Sequence, residues 1–519
     1  MPLLDPEGTI LGYLGPIRVD GTPVRGRDGV ELHLPPGWQV EEGASPAGTL
    51  LTWGSRARIW IFVQNLEGLP ASAEEYVLYG NRSVLREWSG IKLLLHRRLW
   101  IAGKRTHLLA WRRPALRHVP PPDRNFYKEY NLIFSPKLVV TLMLAASPDS
   151  YTRAQVALHQ VALSLALNEG GGSAPGGSIP HPTIPEFEGW RDGEKGRDWE
   201  EWQTRDELKW PLPPRGLTWG IYDPFLEPDF WYLEGIRNLE KSLGTRFDLL
   251  MTYLHFPDPF PREKAEEAAR EGRLLMLTLQ SWKPIPQDQV FGTPTTLIFD
   301  LLDGQYDEYL REWAREAARW GRPFFFRLDN EMNADWCPWS AFQYGKDADL
   351  YIYAWRHVWK IFQEEGAENA IWVWNPNDTS FPNWRWNHHT RYWPGGKYVD
   401  WVGLTAYNLG DAYPGNTWRE FREAYRPVYD EYRRLYPGKP LMITEFASHD
   451  GGGDKARWIT DMFSALKEEF PAIRFAVWWN GTDGARRYRF DSTPASREAF
   501  ARGIRDPYFV HPVRFEPRP

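Results

Sequence analysis

From about residue 217 onward, short apolar runs alternate with stretches whose apolar residues recur at helical spacing. The runs fall at 217–222, 247–253, 274–280, 323–328, 370–374, 401–406, 441–444 and 475–479. Between the third and fourth, Tyr306, Tyr309, Leu310, Trp313, Ala314, Ala317 and Ala318 share one helical face, which Gly321 and Pro323 bring to an end. Continuous apolar strands separated by amphipathic helices predict a parallel sheet covered on both faces. Eight such units fit a closed (β/α)8 TIM barrel over 215–510 better than an open doubly wound sheet.

The first 168 residues read differently. Strand-like runs at 30–34, 49–63, 91–111 and 138–144 lie among turns, and a helical stretch at 151–167 ends the segment, so a small α+β domain is expected over 1–168. Residues 169–214 open with Gly170-Gly171-Gly172-Ser173-Ala174-Pro175-Gly176-Gly177 and stay rich in Pro, Gly and charge, the composition of a linker. The fold class is therefore α/β, a barrel preceded by a small α+β module.

Charge sharpens this division. The first 168 residues carry 19 Lys and Arg against 14 Asp and Glu, a net +5, which leaves −11 for the remainder of a chain whose formal charge is −6. Arg97, Arg98, Lys104, Arg105, Arg112, Arg113 and Arg117 crowd one hairpin-like stretch, which reads as a solvated strand face or a contact for an anionic glycan. An overall acidic balance argues against a nucleic-acid partner. The longest apolar stretch, 138–146, is far shorter than a membrane span. Met1-Pro2-Leu3-Leu4-Asp5-Pro6-Glu7 has neither the basic start nor the apolar core of a signal peptide, so the expected location is cytoplasmic as written, or secreted if a leader is missing. A single cysteine, Cys337, excludes an internal disulfide framework.

Two carboxylates stand at the carboxyl ends of predicted strands: Glu331 after the fourth and Glu445 after the seventh. Strands four and seven face each other across a closed barrel, and active sites of such barrels are built at the carboxyl ends. Paired carboxylates of this kind can split a glycosidic bond, one protonating the leaving oxygen while the other attacks the sugar carbon. The 29 tryptophans suit the same chemistry, because indole faces stack on the apolar faces of pyranose rings; a large aromatic core is the competing explanation.

The segment Arg327-Leu328-Asp329-Asn330-Glu331-Met332-Asn333-Ala334-Asp335-Trp336-Cys337-Pro338-Trp339 resembles the acid/base motif of glycoside hydrolase family 26. Tyr398 to Asn408 is similar to the family's sixth strand, Ile443-Thr444-Glu445-Phe446 to its nucleophile strand, and Val477-Trp478-Trp479-Asn480 to its eighth. The resemblance covers about 215–510. It implies retaining, endo-acting hydrolysis of a β-1,4-linked polysaccharide, β-mannan or mixed-linkage β-glucan, with Glu331 as acid/base and Glu445 as nucleophile. It further implies that Trp336 stacks on substrate, Tyr407 hydrogen-bonds the nucleophile and Trp478 forms the floor under the reacting sugar. Two positions depart from the family pattern: Asn330 stands where a His commonly precedes the acid/base, and Thr405-Ala406-Tyr407 replaces Asp-x-Tyr. An Asn there is similar to the wider clan of retaining barrel glycosidases, whose amide reads the sugar's 2-hydroxyl. In the N-terminal segment, residues 29–38 and the helix 154–167 are similar to the small PsbP and DcrB type of α/β module.

Residues Arg327, Trp282 and Trp374 complete the expected substrate-binding set, with a structural ion pair inside the barrel as the alternative for Arg327 and a core position as the alternative for the tryptophans. No cofactor and no metal are expected: His388-His389, His255 and His449-Asp450 lack the His-x-x-x-His or Cys-x-x-Cys spacing of a metal site and read as loop histidines. Gly451-Gly452-Gly453-Asp454-Lys455 lacks the ending of a phosphate loop. Rival functional readings are an exo-acting or transglycosylating enzyme on a short oligosaccharide, and a carbohydrate-binding barrel without catalysis.

Overall fold

The computed structural model describes residues 1–14, 19–41, 44–168, 216–282 and 297–509. Eight parallel strands close into a barrel: β1 (Thr218–Tyr222), β2 (Leu249–His255), β3 (Leu274–Gln280), β4 (Phe324–Leu328), β5 (Ala370–Trp374), β6 (Trp401–Thr405), β7 (Leu441–Phe446) and β8 (Ile473–Trp479), with β8 pairing back on β1. Successive side chains of a strand point to opposite faces. Met251, Met276, Phe325, Val373, Trp401, Met442, Phe475 and their neighbours fill the interior, while the intervening residues pack outward against the helices. The helix Asp307–Trp320 buries Leu310, Trp313, Ala314, Ala317 and Trp320 and ends on Gly321 at φ +71°, the left-handed cap that glycine adopts without penalty. Alternation of strand and helix is broken at one place. Between β5 and β6 the chain forms three short 3-10 turns, Arg385–Asn387, His389–Tyr392 and Gly396–Tyr398, instead of the helix that strict alternation predicts.

The N-terminal residues build a seven-stranded antiparallel sheet with the helix Pro148–Ser164 packed on one face. The expected run 49–63 is a hairpin, Thr49–Trp53 and Ala57–Asn65; 91–111 is a second, Lys92–Ile101 and Lys104–Arg112. The strand Phe126–Ser135 lies inside the sheet, between Lys104–Arg112 and Leu138–Ala146, although it carries Lys128 and Glu129. Both charges are buried and satisfied. Lys128 Nζ donates to the Pro2 carbonyl and to Gln155, each at 2.7 Å, and Glu129 pairs with Lys346 Nζ at 2.6 Å. The expected linker, 169–214, lies outside the described residues.

The other face of this sheet packs on the barrel through one continuous apolar core, in which Trp60, Phe62, Trp111 and Tyr127 join residues from all eight barrel strands. Buried ion pairs stitch the seam. Arg58 donates to Asp347 at 2.5 Å and pairs with Asp349, at the start of the helix Asp349–Glu364; Tyr127 donates to Asp347 at 2.7 Å. Burial alone would raise the Asp347 pKa, but Arg58 and then Arg113 overcome it and hold the carboxyl below its ordinary range. The Arg391 guanidinium lies 3.6 Å from the Trp60 ring centroid, and the Gln64 side chain accepts from the Arg385 backbone N–H at 2.9 Å. Of the basic cluster in and beside the second hairpin, Arg113 is buried and paired with Asp123 at 2.6 Å, while Arg97 and Arg98 face solvent.

Replacing Arg58 with Ala strands the buried Asp347 carboxylate. The expected cost is about 3–5 kcal/mol of folding free energy, read as a lowered denaturant midpoint of the full chain; an unchanged midpoint contradicts a welded seam.

Candidate active site

Inward-facing residues at the carboxyl ends of the strands define the site. On β4, Arg327 follows Phe325 into the barrel interior, where it is wholly buried. Its guanidinium donates to Glu445 Oε1 at 2.5 Å, Thr278 Oγ1 at 2.8 Å and Asn375 Oδ1 at 2.9 Å. Arg327 is thus the internal ion pair rather than a substrate contact. On β7 simple alternation would turn Glu445 outward, since Met442 faces in. A register shift intervenes: Leu404 pairs with Ile443 but Thr405 with Glu445, and this irregularity re-aims the carboxyl into the mouth. Tyr253 donates to Glu445 Oε1 at 2.5 Å and Tyr407 to Oε2 at 3.1 Å, so three donors hold one carboxylate in place.

Across the mouth, Glu331 sits in the left-handed region at φ +55°, two residues beyond Asp329 at φ +47°. A non-glycine residue pays for that conformation, and the surroundings over-determine it. The Glu331 N–H donates to the Asn375 carbonyl at 2.7 Å, the Asp329 N–H to Leu279 at 3.0 Å, and the Asp329 carboxylate accepts from the Ser281 N–H and hydroxyl, both at 2.7 Å. Trp339 Nε1 donates to the Asn330 carbonyl at 2.7 Å, fastening the turn from below. Burial, reinforced by the charge of Glu445 and opposed by Arg327, pushes the Glu331 pKa up to about 8. Burial likewise pushes Asp329 up to about 7 against the hydrogen bonds from Ser281.

Around this pair, Trp336 is half exposed and lies with Nε1 3.4 Å from Glu331 Oε2 and its ring 4.9 Å from Phe381. Tyr79 of the N-terminal module donates to Asp335 at 2.6 Å, so that module reaches the residue beside Trp336. The Asn330 side-chain oxygen accepts from Gln280 Nε2 at 2.9 Å, which leaves its amide nitrogen as the end that can donate; Trp282 Nε1 lies 3.3 Å from Gln280 Oε1 at the same rim.

Two expected platforms are in the core instead. Trp374 is fully buried on the outer face of β5, its indole donating to the Tyr392 carbonyl at 3.2 Å among Trp393 and Tyr436. Trp478 is fully buried on the outer face of β8, donating to the Tyr488 carbonyl at 3.0 Å and packed on Phe446 and Phe500. The next residue, Trp479, faces the mouth: it stacks on Tyr222 at 5.0 Å and donates to the Tyr253 hydroxyl at 3.2 Å. Tyr253, Asn375 and Trp479 were missed by sequence reasoning, although each has the parity of the interior residues Met251, Val373 and Val477.

The fold and its mouth define the class of (β/α)8 barrels with opposed carboxylates on the fourth and seventh strands. The profile of glycosyl hydrolase family 26 matches residues 285–428. The chain is 29% identical over 282 residues to Endoglucanase H of Acetivibrio thermocellus, covering 52% of this chain and 29% of that one. It is 28% identical over 229 residues to the mannan endo-1,4-beta-mannosidase of Bacillus subtilis strain 168, covering 41% of this chain and 57% of that one. Among solved structures, a GH26 beta-mannanase from Bacteroides ovatus aligns at 18% identity with a TM-score of 0.44, over 57% of this chain and 90% of that one. The barrel is glycoside hydrolase family 26-like.

The parity of β8 has a direct consequence for stability. Trp478→Ala, which empties a closed core site, should cost about 3–5 kcal/mol, whereas Trp479→Ala at the open mouth should cost less than half of that; equal losses in denaturant unfolding contradict the assignment of faces.

Proposed function

We propose that the chain is a retaining, endo-acting β-glycoside hydrolase of a β-1,4-linked polysaccharide, with β-glucan and β-mannan as the substrate classes. One observation carries this reading: two carboxyls share a barrel mouth, one buried with its pKa raised and the other held by three hydrogen-bond donors. Burial pushes the Glu331 pKa up to about 8, which suits the proton donor, while the Glu445 carboxyl accepts hydrogen bonds from Arg327, Tyr253 and Tyr407 that hold it in place for attack. In the first step a Glu445 oxygen attacks the anomeric carbon, the bond to the leaving oxygen breaks, and the Glu331 proton passes to that oxygen. The glycosyl ester removes the negative charge that Glu445 imposed on its neighbour, so Glu331 becomes the base that deprotonates water. Water then displaces Glu445, and the product keeps its β configuration.

Trp479 is the floor for the reacting sugar in this reading, Trp336 a platform on the acid/base side, and the Asn330 amide the donor to the sugar's 2-hydroxyl. That hydroxyl is axial in mannose and equatorial in glucose, and a site built to bond one of them leaves a polar group unpaired with the other. Asn330 and the similarity to an endoglucanase over half of the chain favour glucan, while the similarity to mannan endo-1,4-beta-mannosidases favours mannan. The acidic balance of the chain and, among the described residues, the lack of any helix long and apolar enough to cross a membrane accord with a neutral polysaccharide as partner.

Hydrolysis of mixed-linkage β-glucan, β-mannan and xylan by the wild type, beside Glu445→Gln, tests the proposal. Turnover of at least one substrate into mixed oligosaccharides, abolished in the variant, is expected; absence of turnover on all three supports a binding barrel, and single-length products from the earliest times support exo action. For the active substrate, kcat/KM should fall above about pH 8 as Glu331 loses its proton, because the leaving oxygen then goes unprotonated. Aryl glycosides with acidic leaving groups should not show that alkaline limb. In Glu331→Ala, azide should restore turnover with a β-glycosyl azide product; an α product overturns retention.

A further inference from the structure

Large apolar side chains that the fold leaves open to solvent gather beside Glu331. Trp336 is 54% exposed, Phe381 39% and Tyr79 38%. The rings of Trp336 and Phe381 lie 4.9 Å apart. Phe381 is held there by its own N–H, which donates to the Asn333 carbonyl at 2.8 Å in the loop that follows Glu331. Tyr79 arrives from the N-terminal module, its hydroxyl donating at 2.6 Å to Asp335, the residue before Trp336. A tyrosine anchored by its hydroxyl and still open over a third of its surface has apolar area left to cover.

Two stretches carry this surface away from the mouth. On the barrel side the chain passes from Phe381 to Trp384 in three residues, a span of at most about 11 Å. Trp384 meets Tyr79 edge to face at 5.8 Å and Tyr76 at 4.6 Å. On the N-terminal side, the helix Ala73–Gly80 and the helical turn Arg82–Leu85 border a groove of about 800 Å3. Glu75, Leu78, Tyr79, Arg82 and Arg86 line it, joined from the barrel by Trp384. Tyr79 belongs to both parts, since it lines the groove while its hydroxyl reaches the residue beside Trp336.

The polar groups of the groove suit a hydroxylated chain. Glu75 is committed to the start of its own helix, where its carboxylate accepts from the Ser72 N–H and hydroxyl, both at 2.7 Å. Arg82 Nε is buried without a hydrogen-bond partner, its guanidinium 5.5 Å from the Trp88 ring centroid. A buried donor of this kind is completed by a ligand that brings an acceptor, and sugar hydroxyls do so. Mostly apolar walls with a few placed donors are the usual make-up of a small-molecule cleft.

Reaction geometry decides which part of a substrate reaches the groove. With Glu331 as proton donor the leaving oxygen meets Glu331, so the leaving-group sugars lie on that side of the mouth. Trp336, with Nε1 3.4 Å from Glu331 Oε2, is the first surface they meet. We propose that the N-terminal module extends the substrate cleft on the leaving-group side: the β-1,4-linked chain passes over Trp336 and Phe381 and continues onto Tyr79 and the groove beside Arg82, which bind its reducing-end sugars. The proposal rests on the hydrolase reading above. It also accounts for the rigid seam, because a binding surface shared by two modules works only at a fixed separation, and the buried pairs of Arg58 with Asp347 and Asp349 keep it.

Oligosaccharides of increasing length from the polysaccharide that the wild type cleaves, with the cut located by an isotope label on the reducing-end oxygen, test this. In the wild type kcat/KM should rise as sugars are added on the reducing side of the cut. Tyr79→Ala should lower kcat/KM by about 3- to 10-fold on the longest members, by less on those too short to pass Trp336, and should move the preferred cut toward the reducing end. Tyr79→Phe, which keeps the ring and gives up the bond to Asp335, should retain most of the rise; a loss equal to that of Tyr79→Ala makes Tyr79 a strut for Asp335 and overturns the proposal. Arg82→Gln should also flatten the rise, and it decides if Tyr79→Ala does not fold. Loss by one factor at every length overturns the extended cleft and leaves the hydrolase reading in place, whereas a wild type that cleaves no oligosaccharide or polysaccharide overturns both.

Discussion

A guanidinium sealed inside the barrel is the constraint on which the site depends. Arg327 has no access to water, so its charge must be met by protein, and the groups that meet it come from three other strands: Thr278 at β3, Asn375 just after β5 and Glu445 on β7. A buried ion pair adds little net stability, but removing one partner is costly. The pair therefore specifies geometry. It fixes the Glu445 carboxylate relative to β4, and β4 ends in the turn that carries Glu331. The same guanidinium limits how far the two carboxyls can drive each other's protonation, since it opposes the burial and the charge that raise the Glu331 pKa.

Strain and support are balanced around that turn. Asp329 and Glu331 both occupy the left-handed region, and hydrogen bonds from β3, from the residue after β5 and from the following loop hold them there. The N-terminal module enters the same arrangement from outside through Tyr79 on Asp335, Lys346 on Glu129 and Arg58 on Asp347. With a shared apolar core and buried charges at the seam, that module is structurally part of the barrel's βα4 and βα5 region, more than a tethered accessory.

Much of this was legible in order along the chain. The eight apolar runs became the eight strands within a few residues, because a parallel strand buried on both faces must be apolar throughout. The positions of Glu331 and Glu445 followed from that count. Side-chain direction was less well read. The Trp478-Trp479 pair shows why: two adjacent indoles are indistinguishable by composition, and the alternation anchored at Phe475 and Val477 sends the first into the core and the second into the mouth. At Glu445 the reverse holds, since regular alternation would have turned it away and a register shift brings it in. The central strand Phe126–Ser135 escaped detection because Lys128 and Glu129 look solvated until their partners Gln155 and Lys346 are known.

The sequence by itself determined the class of fold, the strand ends that carry acids and the kind of chemistry they suit, because these depend on local periodicity and residue type. Tertiary structure alone decided which tryptophan meets the mouth, that Arg327 is a strut for Glu445, that the N-terminal sheet is welded to the barrel, and that His388 and His389 face Glu431. Each of these rests on groups tens to hundreds of positions apart. Charge compensation and hydrogen bonding act through space, and a linear pattern carries no record of which distant residues the closed barrel brings within reach.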